Sequence, residues 1–166
     1  MMASIPAYNE YAKSVLEPKM DQAVLKQILD MENTGQTEQP RYMELLIPNW
    51  YEQHILRRPV AQWPAPVTVS FANMNRNFYV TMQGPSEMGA SGRLVNWDRF
   101  NDLKRILIPT LVISGANDTM DPAYMAKMAK ELANGELAAT NGGHMDMYDD
   151  QPTYFAKLIA FLRKFK

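Results

Sequence analysis

From Ser4 to about Gln83, apolar residues recur at three- and four-residue spacing and the runs stop at prolines, a period that predicts helices burying one face each. Pro6 to Leu16 predicts the first helix. Asp21 stands where an N-cap belongs for a second, Gln22 to Met31, which should end before the polar run Asn33-Thr34-Gly35-Gln36. A third begins near Pro40 and carries Tyr42, Leu46, Trp50, Tyr51 and His54; Pro48, with no N–H to donate, should kink or divide it. Arg58 through Pro66 is a proline-rich connector, after which shorter helices run to Tyr79.

Near Gln83 the pattern changes, dividing the chain into a helical region, residues 1–83, and an α/β segment, residues 84–166. Gln83 to Gly92 is a loop of glycine and small residues, and Asp98 to Ile106 a short amphipathic stretch. Thr110 to Ser114 is a continuous apolar run, the kind buried on both faces of a parallel sheet. Pro122 to Leu132 predicts a helix, Glu136 to Ala139 a second strand, and Thr153 to Phe165 a closing amphipathic helix. Strand, helix, strand, helix makes a parallel unit, yet a ribbon of two strands leaves its edges and apolar faces uncovered. Further strands are expected from a second copy or a partner.

Composition narrows the chemistry. The chain has 166 residues, 46% hydrophobic and 21% charged, with a net charge of −1 from acids and bases mixed along its length. No basic block suits a phosphate backbone or an anionic bilayer, so neither nucleic acid nor membrane is an expected partner. The absence of cysteine excludes disulfides, thiol chemistry and Cys-based metal sites, and two histidines, His54 and His144, do not make a histidine-rich one. No metal or organic cofactor is expected. Met1 to Pro6 lacks the basic and apolar runs of a signal peptide and no stretch is long enough to span a bilayer, which points to the cytoplasm. Thirteen methionines are read first as adaptable core filling and only second as a substrate-shaped apolar pocket.

The residues able to do chemistry sit late in the chain. Asp118 follows the first strand in Gly115-Ala116-Asn117-Asp118, and His144 follows the second in Asn141-Gly142-Gly143-His144. Ligands and catalytic groups collect at the carboxyl ends of parallel strands. Alone, Asp118 is read equally well as a cap for the next helix, and Asp121 before Pro122 is better read as one. An Asp and then a His, each closing a strand, is the order of acid and base in the α/β-hydrolase triad. That triad also needs a serine in an upstream Gly-x-Ser-x-Gly elbow, and these residues contain none. Ser91 in Gly89-Ala90-Ser91-Gly92 has the wrong spacing and position.

Over nearly its whole length the sequence resembles the C-terminal portion of proline iminopeptidases, serine aminopeptidases of the α/β-hydrolase superfamily with a helical cap. The stretches that carry the resemblance are Met1 to Tyr8, Pro40-Arg41-Tyr42-Met43-Glu44-Leu45-Leu46, Tyr51-Glu52-Gln53-His54, Trp63-Pro64, Met82 to Glu87, Asp118 to Pro122, Asn141 to His144 and Met147 to Gln151. It implies a partial α/β-hydrolase fold, with a helical cap followed by the last two parallel strands and flanking helices. By the same resemblance Asp118 is the triad acid and His144 the general base. Glu87, which by itself reads as a solvated loop acid, matches a cap carboxylate that holds the free α-amino group of the substrate. A fixed negative charge facing an ammonium in a poorly hydrated pocket is what exopeptidase specificity requires. Some relatives carry a second acidic residue directly after the triad aspartate. Here that position is Thr119, which leaves Glu52 as the substitute candidate.

The expected function is therefore that of a serine hydrolase releasing N-terminal proline from peptides or prolyl small molecules, with no cofactor. Lacking the serine, the chain alone should be inactive and should need an N-terminal hydrolase half, or associate with itself. Two alternatives stay open: a binding or assembly subunit without chemistry, and another capped hydrolase acting on esters or small acyl compounds.

Overall fold

The computed structural model of the chain describes residues 2–165. Its first helix, α1 (Ile5–Tyr11), is capped by Ser4, whose Oγ accepts from the Ala7 N–H at 3.4 Å, and continues through a π-helical turn, Ala12–Leu16. α2 (Gln22–Asn33) starts at Asp21, whose carboxylate accepts from the Ala23 and Val24 N–H groups at 2.8 and 3.1 Å. It ends at Gly35, which takes a φ of +68° that a side chain would resist. α3 (Pro40–Leu46) does not break at Pro48. The helix runs on as a π-helix, Ile47–Ile55, whose wider turn accommodates a ring that would clash with the carbonyl one α-turn back. The short helices α4 (Ala65–Ala72) and α5 (Arg76–Met82) follow the proline connector.

These helices close around a core of their own. Ile28, Tyr42, Leu46, Trp50 and Ile55 are almost wholly inaccessible, with Met88 reaching in from the following loop. Trp50 and Tyr42 alone remove large apolar areas from water, the main stabilising effect available to this region.

After a 3-10 turn, Phe100–Arg105, the chain enters β1 (Thr110–Gly115), α6 (Pro122–Glu131), β2 (Gly135–Thr140), the short α7 (Asp146–Asp149) and α8 (Gln151–Leu162). The strands are parallel, pairing from Thr110 with Gly135 to Gly115 with Thr140, and form a sheet of two. α6 and α8 pack on it. A second core joins Val112 of β1 to Met125, Met128 and Leu132, and includes Met2, Ala3 and Tyr8 from the start of the chain. Residues 3–5 run beside residues 97–99: the Ile5 N–H donates to the Trp97 carbonyl at 2.9 Å and the Arg99 N–H to that of Ala3 at 2.7 Å. The strands are less buried than their apolar run predicts. Leu111 and Ile113 are half-buried and Leu137 is 44% exposed, because a pair of strands has too few neighbours to cover both faces.

Candidate active site

Where the two strands end, their loops touch backbone to backbone. The Ala116 N–H donates to the Thr140 carbonyl and the Asn117 N–H to the Gly142 carbonyl, both at 3.0 Å, while the Asn117 side chain donates to the Asn141 carbonyl at 2.9 Å. A Cβ on Gly115 would stand 2.4 Å from the Gly142 oxygen, one on Gly142 2.0 Å from Asp146 Oδ1, and one on Gly143 2.5 Å from the His54 oxygen. The two glycines before His144 thus serve close approach. Neither has a positive φ, so it is the missing side chain and not a left-handed backbone that these positions use.

The joined loops bring Asp118 and His144 together, with His144 Nδ1 3.0 Å from Asp118 Oδ1. Asp118 is buried, and the same oxygen accepts from the Met120 N–H at 3.0 Å and from the fully buried Thr119 hydroxyl at 3.3 Å. The carboxylate is therefore held from several sides and fixes the orientation of the ring. Burial acts to lower the pKa of His144, but the Asp118 hydrogen bond and charge, with Glu87 adding to them, outweigh it and raise the pKa above the ordinary imidazole value. Because Nδ1 faces the carboxylate, its proton stays there in the neutral ring and Nε2 carries the lone pair.

His144 and Glu87 line one cavity of about 490 Å³, together with Tyr8, Tyr79, Trp97 and Met120. Its lining is mostly apolar, with Glu87 as its carboxylate. Tyr79 donates to Glu87 Oε1 at 2.5 Å, while the Glu87 carbonyl accepts from the Tyr8 hydroxyl at 2.5 Å and the Trp50 indole at 3.0 Å. Burial and then the Glu87 charge push the Tyr79 phenol far above its ordinary pKa, so it remains a donor. Met2 and Met120 also line this cavity, while Met125 and Met128 fill the second core.

The other sequence candidates lie elsewhere. Glu52 accepts from the Val60 N–H at 2.6 Å, steadying the 3-10 turn Val60–Gln62, and does not line the cavity with Glu87. Asp121 caps α6 through the Ala123 N–H at 2.9 Å, and Ser91 is exposed beside a different cleft. Tyr8, Tyr79 and Trp97 were not singled out from the sequence. Nothing in helical spacing tells an aromatic residue facing a cavity from one facing a core, and Tyr8 belongs to both.

No protein-family model matches the sequence. Among solved structures, VinJ superimposes with a TM-score of 0.90 over 99% of this chain and 55% of its own, at 21% identity. A proline iminopeptidase from Mycobacterium smegmatis superimposes with a TM-score of 0.81 over 98% and 54%, at 23% identity. The architecture is that of an α/β-hydrolase, represented by its helical cap and its last two strands with their helices. The sequence comparisons are more specific. A proline iminopeptidase from Flavobacterium johnsoniae is 44% identical over 163 residues, covering 98% of this chain and 54% of the relative. One from Chitinophaga pinensis is 37% identical over 165 residues, covering 99% and 55%. The chain matches a C-terminal portion of the proline iminopeptidases and spans about half the length of these curated relatives.

Proposed function

We propose that this chain supplies the acid, the base and the amine-holding carboxylate of a proline iminopeptidase-like serine hydrolase, which releases N-terminal proline from peptides. The observation that carries the reading is the cavity that Glu87 and His144 share, with Asp118 bonded to the far side of the imidazole. In this mechanism Glu87 holds the ammonium of the N-terminal residue and the apolar wall receives its ring. His144 Nε2 takes the proton of an attacking serine hydroxyl and later returns it to the leaving amine. Asp118 stabilises the imidazolium formed between those steps. The serine and the oxyanion donors come from a hydrolase segment outside these 166 residues, which pairs its strands with the sheet. Without it the chain turns nothing over, since acid and base alone form no acyl-enzyme. The reaction needs no metal or organic cofactor, and the setting we assign to it is the cytoplasm.

The test is an assay of prolyl amides against N-acyl prolyl esters, with the nucleophile-bearing half supplied. His144→Ala should abolish both activities, and Glu87→Gln should weaken the free-amine substrate by about 2–5 kcal/mol in kcat/KM while sparing the acylated one. Equal losses from Glu87→Gln on the two substrates would make Glu87 a structural loop residue. Turnover by the homogeneous 166-residue chain, removed by His144→Ala, would refute the need for a second segment.

A further inference from the structure

The Tyr51-Glu52-Gln53-His54 motif is not accounted for by the catalytic reading, and His54 faces away from the shared cavity. Its ring nevertheless reaches the site from behind. His54 Nδ1 lies 2.9 Å from the carbonyl of Asn117, the residue before Asp118. A carbonyl only accepts, so Nδ1 carries the proton. The His54 carbonyl in turn accepts from the His144 N–H at 2.7 Å, and the Ile55 carbonyl from the Met145 N–H at 2.7 Å. One residue thus holds the acid loop with its ring and the base loop with its backbone. Four residues earlier on the same π-helix, Trp50 donates to the Glu87 carbonyl at 3.0 Å, and the two rings meet edge to face at 5.1 Å.

We propose that His54 is a positioning residue that holds the Asp118–His144 pair at a fixed offset from Glu87, the two ends of that offset being set by one helical segment, Ile47–Ile55. The proposal rests on the reading of these three residues as the site. An exopeptidase must fix the distance between the substrate ammonium and the carbonyl under attack, and a misplacement of about 1 Å costs on the order of a hundredfold in rate. Asn117 already ties the two loops to each other, so the pair moves as a unit, and His54 ties that unit to the cap. Asp149 adds a tie on the base side, accepting from the Gly143 and Arg57 N–H groups at 3.0 Å each. His54 lies in a π-helical segment, a conformation frequent at functional sites. Its protonation state fits this role. Burial first, then the nearby Lys19 and Arg57, lower its pKa against the opposing pull of the Asn117 bond and Asp118, which keeps the ring neutral.

The chain has two histidines, so nitrogen-15 imidazole spectra of the 166-residue protein resolve both rings, and His144→Gln assigns them. In His54→Leu the released Asn117 carbonyl lets the Asp118–His144 unit drift from Glu87, whose charge helps to raise the His144 pKa. The His144 midpoint should then fall by about half a pH unit, a roughly threefold change in its protonation constant, and its low-field Nδ1–H signal should broaden. His54→Asn places an amide donor where Nδ1 stood and should restore both. If His54→Leu fails to fold, His54→Gln, whose donor sits farther out, takes its place in the same comparison. A wild-type midpoint and signal in the donor-less variant, or equal effects from it and His54→Asn, would overturn the proposal. A His144 midpoint indifferent to Asp118→Asn would instead refute the Asp118–His144 pairing itself, so the two failures are distinguishable.

Discussion

The helical region and the two-stranded region solve the problem of burial differently. Around Trp50 the helices cover one another, and Tyr42, Leu46, Trp50 and Leu56 are completely inaccessible. Around the sheet, Leu107 and Ile108 are 71% and 70% exposed just before β1, and Ile159 and Leu162 stand open on α8. A helix satisfies its own backbone and needs only an apolar face covered, whereas a strand needs neighbours on its edges as well. The helices therefore bury their largest side chains among themselves, while the pair of strands leaves apolar residues beside it in water.

The largest expected effect tests the closed side of this comparison. Trp50→Ala should lower unfolding free energy in urea by about 3–5 kcal/mol, since it removes the largest fully buried side chain and the indole bond to Glu87. A loss below about 1 kcal/mol would mean that the cap core is not what holds the region together. Next comes the junction of the strand ends. Gly142→Ala should cost about 1–3 kcal/mol, because the new methyl meets Asp146 Oδ1, and should shift the His144 ring signals, because the loop must move. Unchanged His144 signals in a destabilised variant would separate the loop packing from the site.

A smaller effect should appear in the pH dependence of stability. The folded pKa of His144 is raised, so the stability its protonation contributes is fully present below the ordinary imidazole pKa and is lost as pH rises through the folded value. His144→Gln should therefore cost more stability in mildly acid than in alkaline solution, as read from urea midpoints. The opposite slope would show that burial, not Asp118, dominates the ring. The smallest stability change belongs to the open side. Leu107→Ser should alter unfolding free energy by no more than about 0.5 kcal/mol, yet reduce self-association in sedimentation, since its side chain lies mostly in water. A loss comparable to that of Trp50→Ala would erase the contrast between the regions.

Much of this was legible along the chain. Asp21 and Asp121 cap the helices that their positions announced, and the strands stand where short apolar runs did, because capping and period are local properties. The response to Pro48 was not legible. A proline forbids one hydrogen bond but leaves open whether the helix breaks or rewinds, and the buried Trp50 and Tyr51 beyond it favour continuing. Glu52 illustrates the limit in the site: its charge made it a candidate, but its side chain is engaged by a backbone N–H eight residues on.

Three things can be read along the chain: the order of elements, an aspartate and a histidine at successive strand ends, and the likeness to proline iminopeptidases. The first two follow from residue type and spacing, which need no knowledge of what lies opposite, and the third from stretches of sequence shared with that family. Packing alone brings Asp118 and His144 to 3.0 Å, puts Glu87 in the same cavity as His144 under a hydrogen bond from Tyr79, and sets the His54 ring against the Asn117 carbonyl. Those contacts span from 8 residues, between Tyr79 and Glu87, to 63, between His54 and Asn117. Such meetings depend on how whole helices and loops pack, and no local pattern along the chain encodes them.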